Sequence, residues 1–142
     1  MNIKKISCLF LFLSLPVIGF TNENQNIQTD TGTNITALTI SKAQNWLLYP
    51  IVFLSWKISN PNVKGVLIIR TDSNTSLEPE NGMEYPLGEH LYKGKKLKVL
   101  NNKYRMNFKD QSVDKGQTYF YHICTYTNDF AYSKLEKISI QL

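Results

Sequence analysis

An all-β sandwich is the fold class this sequence predicts, and three observations carry the expectation. Apolar residues recur with a period of two rather than 3.6 along most of residues 35–142. Aromatic residues make up 12% of the chain, with eight Tyr and seven Phe against three Met, a bias that suits pleated, half-buried strands. No amphipathic helical pattern of about ten residues interrupts them. Hydrophobic residues at 42% and charged residues at 19% also exclude a disordered chain.

Residues 1–20 read as an export signal. Lys4 and Lys5 form a positive start, Ile6 through Leu15 is apolar, and Val17-Ile18-Gly19 resembles a small-residue cleavage site. The apolar run is short for a membrane span, so cleavage is expected, with no stable span left afterwards. Cys8 precedes the apolar run, which argues against a lipid-anchored start. Residues 21–34 (TNENQNIQTDTGTN) form a polar leader with one large apolar residue, Ile27. About 110 residues remain for one domain, 35–142, enough for a single core.

Within that domain, Ile35-Thr36-Ala37-Leu38-Thr39-Ile40 is the first expected strand. Residues 51–58 (IVFLSWKI) are the second, rich in β-branched and aromatic side chains. Ser59-Asn60-Pro61-Asn62 ends it, because proline donates nothing to a ladder and asparagine favours turns. Gly65-Val66-Leu67-Ile68-Ile69-Arg70 is the third, and its lack of alternation implies cover on both faces. Residues 96–100 and 104–108 are weaker strands, and 117–127 and 134–142 strong ones. Seven short strands between turn signals predict an immunoglobulin-like sandwich.

The same residues carry a family resemblance. Leu54-Ser55-Trp56 looks like strand B of a fibronectin type III domain, with Trp56 plugging the core. Val113-Asp114-Lys115-Gly116-Gln117-Thr118-Tyr119 resembles the turn into strand F, although Lys115 stands where the family favours proline and Gln117 where it favours threonine. Tyr119 would then be the tyrosine corner. Tyr132-Ser133-Lys134 and Ile138-Ser139-Ile140 are similar to strand G. Pro79-x-Asn81-Gly82-x-x-Tyr85-x-x-Gly88 and Phe108-x-Asp110 resemble a bacterial secreted branch of the family. The resemblance spans nearly all of 35–142 and implies the seven-stranded sandwich, with Trp56 and Tyr119 structural. It implies no single activity, because the fold hosts adhesion, scaffolding and spacer roles alike. The family's integrin-binding Arg-Gly-Asp is absent; the corresponding loop reads Thr127-Asn128-Asp129-Phe130-Ala131.

If Tyr119 points inward, Phe120, His122, Cys124 and Tyr126 share the outer face of the second sheet. By the family's register, Leu67 and Ile69 lie beside them. Two expectations follow. The strip binds a protein partner, or the 24-residue connection 71–94 folds over and covers it. Trp46-Leu47-Leu48-Tyr49-Pro50 is apolar for a turn. It either caps one end of the core or offers Trp46 and Tyr49 as a stacking platform for sugar rings.

Loss of Lys4 and Lys5 takes the basic count from 16 to 14 against 11 acids, so the formal charge of +5 becomes +3. The cluster of Lys93, Lys95, Lys96, Lys98, Lys103 and Arg105 reads as a solvated edge that discourages aggregation, or as a polyanion site for an envelope polymer. An exported chain is not expected to meet nucleic acid.

Cys124 is the one cysteine after residue 20. It is either an inert thiol or a point of intermolecular contact. His122 and Cys124 at i, i+2 make only half of a metal site, and no metal is expected. Glu78, Glu80 and Asn81 would be the oxygen ligands of a cation, but a solvated acidic loop with Glu84 and Glu89 is the default. The chain has no Gly-x-Ser-x-Gly or His-Glu-x-x-His. Gly88 to Lys96 departs from a phosphate loop in spacing and lacks the hydroxyl after the lysine. No catalytic residue and no cofactor is expected. The function read from the sequence is a secreted or cell-surface interaction module. It contacts protein through the strip Leu67, Ile69, Phe120, His122, Cys124 and Tyr126, or carbohydrate and envelope polymer through Trp46, Tyr49, Lys93, Lys95 and Lys96.

Overall fold

In the computed structural model, residues 33–75 and 77–142 are described. The expected export signal and residues 21–32 of the leader lie outside them. Eight strands follow in order: β1 Ile35–Gln44, β2 Pro50–Ile58, β3 Gly65–Thr71, β4 Gly88–Tyr92, β5 Lys95–Leu100, β6 Asn107–Asp110, β7 Thr118–Tyr126 and β8 Glu136–Gln141. They form a three-stranded sheet, β1-β2-β6, facing a five-stranded sheet, β4-β5-β3-β7-β8. Every pairing is antiparallel. The all-β sandwich expected from the sequence is the fold observed, with one strand more than the seven expected.

Alternation explains the layer between the sheets. Val52, Leu54 and Trp56 point inward from β2, and Val66 and Ile68 from β3. They meet Phe108 of β6 and Tyr119, Tyr121 and Ile123 of β7. Each is buried, and side chains of this size contribute about 1.5–3 kcal/mol apiece on leaving water. Gly65 opens β3 because a Cβ there would lie 1.9 Å from the Leu100 carbonyl oxygen and 2.7 Å from the Tyr126 hydroxyl. That hydroxyl donates to the same carbonyl at 3.1 Å.

The additional strand is β4, which pairs with β5 across a two-residue turn. Both turn residues have positive φ, Lys93 at 48° and Gly94 at 73°, as a type I′ hairpin requires. A lysine rather than asparagine at the first of these positions hides the turn from sequence reading. The sixth strand begins at Asn107, not Tyr104, because Asn102 closes a turn first. Its side-chain oxygen accepts from Tyr104 N at 2.9 Å and its carbonyl from Arg105 N at 3.1 Å. The first strand runs on to Gln44, with a bulge between Thr36 and Thr39 where Ala37 has φ 49°.

A second apolar layer lies on the outer face of the larger sheet. Leu67, Ile69, Leu97, Val99, Cys124 and Tyr126 are roofed by Tyr85 and Leu135, with Leu77, Met83, Tyr92, Phe130 and Tyr132 around the margin. Tyr85 meets Tyr92 and Tyr132 edge to face at 5.2 and 5.7 Å. Cover on both faces is what the uniformly apolar β3 demands.

Candidate functional site

The roof decides the fate of the expected partner strip. Leu67, Ile69, His122, Cys124 and Tyr126 are buried, and Phe120 is half-buried. The open strip is therefore corrected to a closed layer. The connection 71–94 supplies Leu77, Met83, Tyr85 and Tyr92, and burying those side chains on the strip is more favourable than leaving both wet. No partner reaches the five buried residues without displacing their cover, and Phe120 alone of the six stays partly open. The Cys124 thiol is sealed in the same layer, and burial pushes its pKa up, away from thiolate chemistry. Burial, then the nearby Lys137, lowers the His122 pKa, and neither of its ring nitrogens has a hydrogen-bond partner among the described residues. Among those residues no three His, Cys, Asp or Glu side chains come together to hold a metal.

The opposite outcome holds for the turn between β1 and β2. Trp46, Leu47, Leu48 and Tyr49 are 87%, 51%, 72% and 64% exposed, so they do not cap the core. Four neighbouring apolar side chains project into solvent at the tip of a hairpin. The tip is nonetheless rigidly built. Asn45 N donates to the Tyr49 carbonyl at 3.0 Å, and Leu48 N donates to the Asn45 carbonyl at 2.9 Å. The Asn45 side-chain oxygen accepts from Leu47 N at 2.9 Å and Tyr49 N at 3.0 Å. This is a three-residue hairpin loop whose last residue must be left-handed, and that residue is Leu48 at φ 64°. Glycine is the easy choice there; leucine costs about 1–2 kcal/mol of backbone strain.

Strand direction gathers further groups at this end of the sandwich. β1, β3, β4, β6 and β8 end there, and β2, β5 and β7 begin there. A groove of about 460 Å³ at the base of the tip is lined by Lys42, Ala43, Gln44, Pro50, Lys115 and Leu142. Lys42 Nζ donates to the Gln141 carbonyl at 2.8 Å. A second groove of about 340 Å³, between the ends of β3 and the β4–β5 turn, includes Arg70, Leu91, Lys96, Asp114 and Tyr119. The β6–β7 loop lines both.

The lysines expected to hold a polyanion are largely answered by acids. Lys93 pairs with Glu80 at 2.9 Å, and Lys96 with Glu89 at 3.0 Å. The hydrogen bond and charge of Lys93 hold the exposed Glu80 carboxyl below its ordinary value. Lys95, half-buried on the neighbouring position of β5, appears in no ion pair among the described residues.

Beneath this end sits a polar pin that sequence reading passed over. Asp110 on β6 reaches across the sandwich, where its Oδ2 accepts from Arg70 Nη1 at 2.8 Å and from the Tyr121 hydroxyl at 3.0 Å. Its Oδ1 accepts from Ser112 N at 3.0 Å and Ser112 Oγ at 2.8 Å. Burial alone would raise its pKa, but the Ser112 and Arg70 hydrogen bonds outweigh it and hold the carboxyl below 3.8. The pin joins the two sheets directly under the loops. Nearby, Asp114 N donates to the Tyr119 hydroxyl at 2.9 Å, five residues upstream, while Trp56 fills the inter-sheet layer.

Compared with known proteins, no family model matches the chain and no curated protein matches it. Among solved structures, it is similar to a computationally redesigned β-sandwich protein. The TM-score is 0.50 at 10% identity, over 76% of this chain and 90% of the other. The likeness supports a β-sandwich.

Proposed function

We propose that this chain is an exported, non-catalytic binding module of fibronectin type III kind, whose contact surface is the β1–β2 hairpin tip. The family assignment draws support from the pairing order β1-β2-β6 against β5-β3-β7-β8, with β4 as an added edge. It also draws on the Tyr119 hydroxyl bonded to upstream backbone, the arrangement of a tyrosine corner. Export rests on the pattern of residues 1–20, and the target is a component of the cell envelope or surface.

One observation carries the choice of surface. Four consecutive apolar residues stand exposed on a turn braced by four hydrogen bonds that all involve Asn45, with a strained leucine among them. Strain held at an exposed position gives nothing to folding, so its use lies in what the side chain touches. Contact through the outer face of the larger sheet is the weaker reading, because the second apolar layer occupies that face.

A photo-crosslinking amino acid tests this when placed at 46, at 53 on the outer face of β2, and at 104 in the β5–β6 turn. Adducts formed in the host from position 46, and not from 53 or 104, are expected. Adducts confined to 53 or 104 would place the contact elsewhere.

A further inference from the structure

The chemistry of the tip discriminates among the things it could touch. A sugar site pairs an aromatic face with polar side chains that hydrogen-bond the ring hydroxyls. Here the side chains between Trp46 and Tyr49 are Leu47 and Leu48, which donate and accept nothing. A convex prong also suits a yielding surface that closes around it. Trp and Tyr have an apolar body and a polar edge and concentrate at the membrane–water interface, while leucines favour the acyl region just below.

The charge behind the tip is complementary to an anionic layer. Lys42 and Lys115 line the groove at its base, no acidic side chain lines that groove, and neither lysine is in an ion pair with a described residue. The acid nearest in sequence, Asp114, lines the other groove. Lys42 stands three strand residues, about 10 Å, behind Asn45 at the start of the turn, so apolar residues at the point with lysines behind them follow the layering of acyl chains under phosphate headgroups. The braced turn is already ordered, so little conformational freedom is lost on insertion.

We propose that the Trp46-Leu47-Leu48-Tyr49 tip inserts into the interface of an anionic phospholipid bilayer, with Lys42 and Lys115 against the headgroups. This rests on the reading of the tip as the contact surface and names what it contacts.

The test uses the protein as purified from its host after export and vesicles of phosphatidylcholine, with or without phosphatidylglycerol, carrying bromine on the acyl chains. Trp46 is exposed and Trp56 is buried, so quenching reports the tip; residues 1–32 contain no tryptophan. Quenching of Trp46 that is strong on phosphatidylglycerol vesicles and weakens with salt is expected. Leu48→Ser and Leu47→Ser should each cut partitioning about tenfold. Lys42→Ala and Lys115→Ala should each cut it about fivefold on anionic vesicles alone. Trp46→Phe supplies the unquenched Trp56 baseline, and circular dichroism confirms each fold. Vesicle binding without quenching of Trp46, or unchanged by the leucine variants, overturns the inference. A Trp46 emission shift with a soluble glycan but not with vesicles also overturns it, while leaving the tip as the contact surface. The crosslinking experiment decides that surface independently.

Discussion

Replacing Leu48 with glycine should make the protein more stable and worse at binding. The left-handed conformation at φ 64° costs a leucine about 1–2 kcal/mol, and glycine adopts it freely. Glycine loses about 0.5–1 kcal/mol more chain entropy on folding. The leucine side chain, 72% exposed, adds little packing to offset the difference. The net gain is about 0.5–1 kcal/mol, or roughly 2–4 °C in Tm for a domain of this size. Thermal unfolding followed by circular dichroism measures it directly, beside partitioning of the same variant. A Tm that is unchanged or lower would show that Leu48 is not strained or that its side chain packs. Either result removes the argument that the leucine is retained for contact.

Other consequences are open to measurement. Asp110→Asn weakens the pin joining the sheets and should cost about 3 kcal/mol, read as a lower guanidinium midpoint. Because the Asp110 carboxyl is held below 3.8 in the folded state, its contribution is present above that pH and is lost as pH falls through the lower folded value. His122 acts at milder acidity. Its folded pKa lies below 6.5, so under about pH 6.5 the unfolded chain binds more protons and stability declines with falling pH. His122→Leu should flatten denaturant midpoints measured across that window, and an unaltered profile would assign the acid sensitivity to another group. Gly65→Ala, which pushes a methyl into the Leu100 carbonyl, should cost about 3 kcal/mol in chemical unfolding. Site-resolved mass spectrometry should find Cys124 unmodified by a thiol reagent until denaturant is added.

Sequence made some of this legible and hid the rest for identifiable reasons. β2, β3 and β7 were readable because β-branched and aromatic residues sit on both of their faces or alternate cleanly. β4 was not. Gly88-Glu89-His90-Leu91-Tyr92 is short and half polar, and its turn uses Lys93 where asparagine would have signalled a hairpin. The roof over Leu67 and Cys124 was legible only as an alternative. An unalternating β3 and a long connection call for cover, but spacing does not say which side chains provide it. The tip posed the reverse problem, because an apolar turn that folds back onto a core and one that projects have the same composition. Asn45, whose side chain braces the turn, was the available signal for projection. Asp110 was visible as a single acid after Phe108, and only the approach of β3 and β7 gives it Arg70 and Tyr121.

Retention in the cell envelope tests the contact surface most directly. Host cells producing the wild type or the Trp46→Ser/Leu48→Ser pair would be fractionated into soluble and envelope material, with Tm measured on each purified protein. Wild type in the envelope and the folded double variant in the soluble fraction is the expected result. Equal retention of both, with Tm unchanged, would contradict the tip as the surface this protein uses.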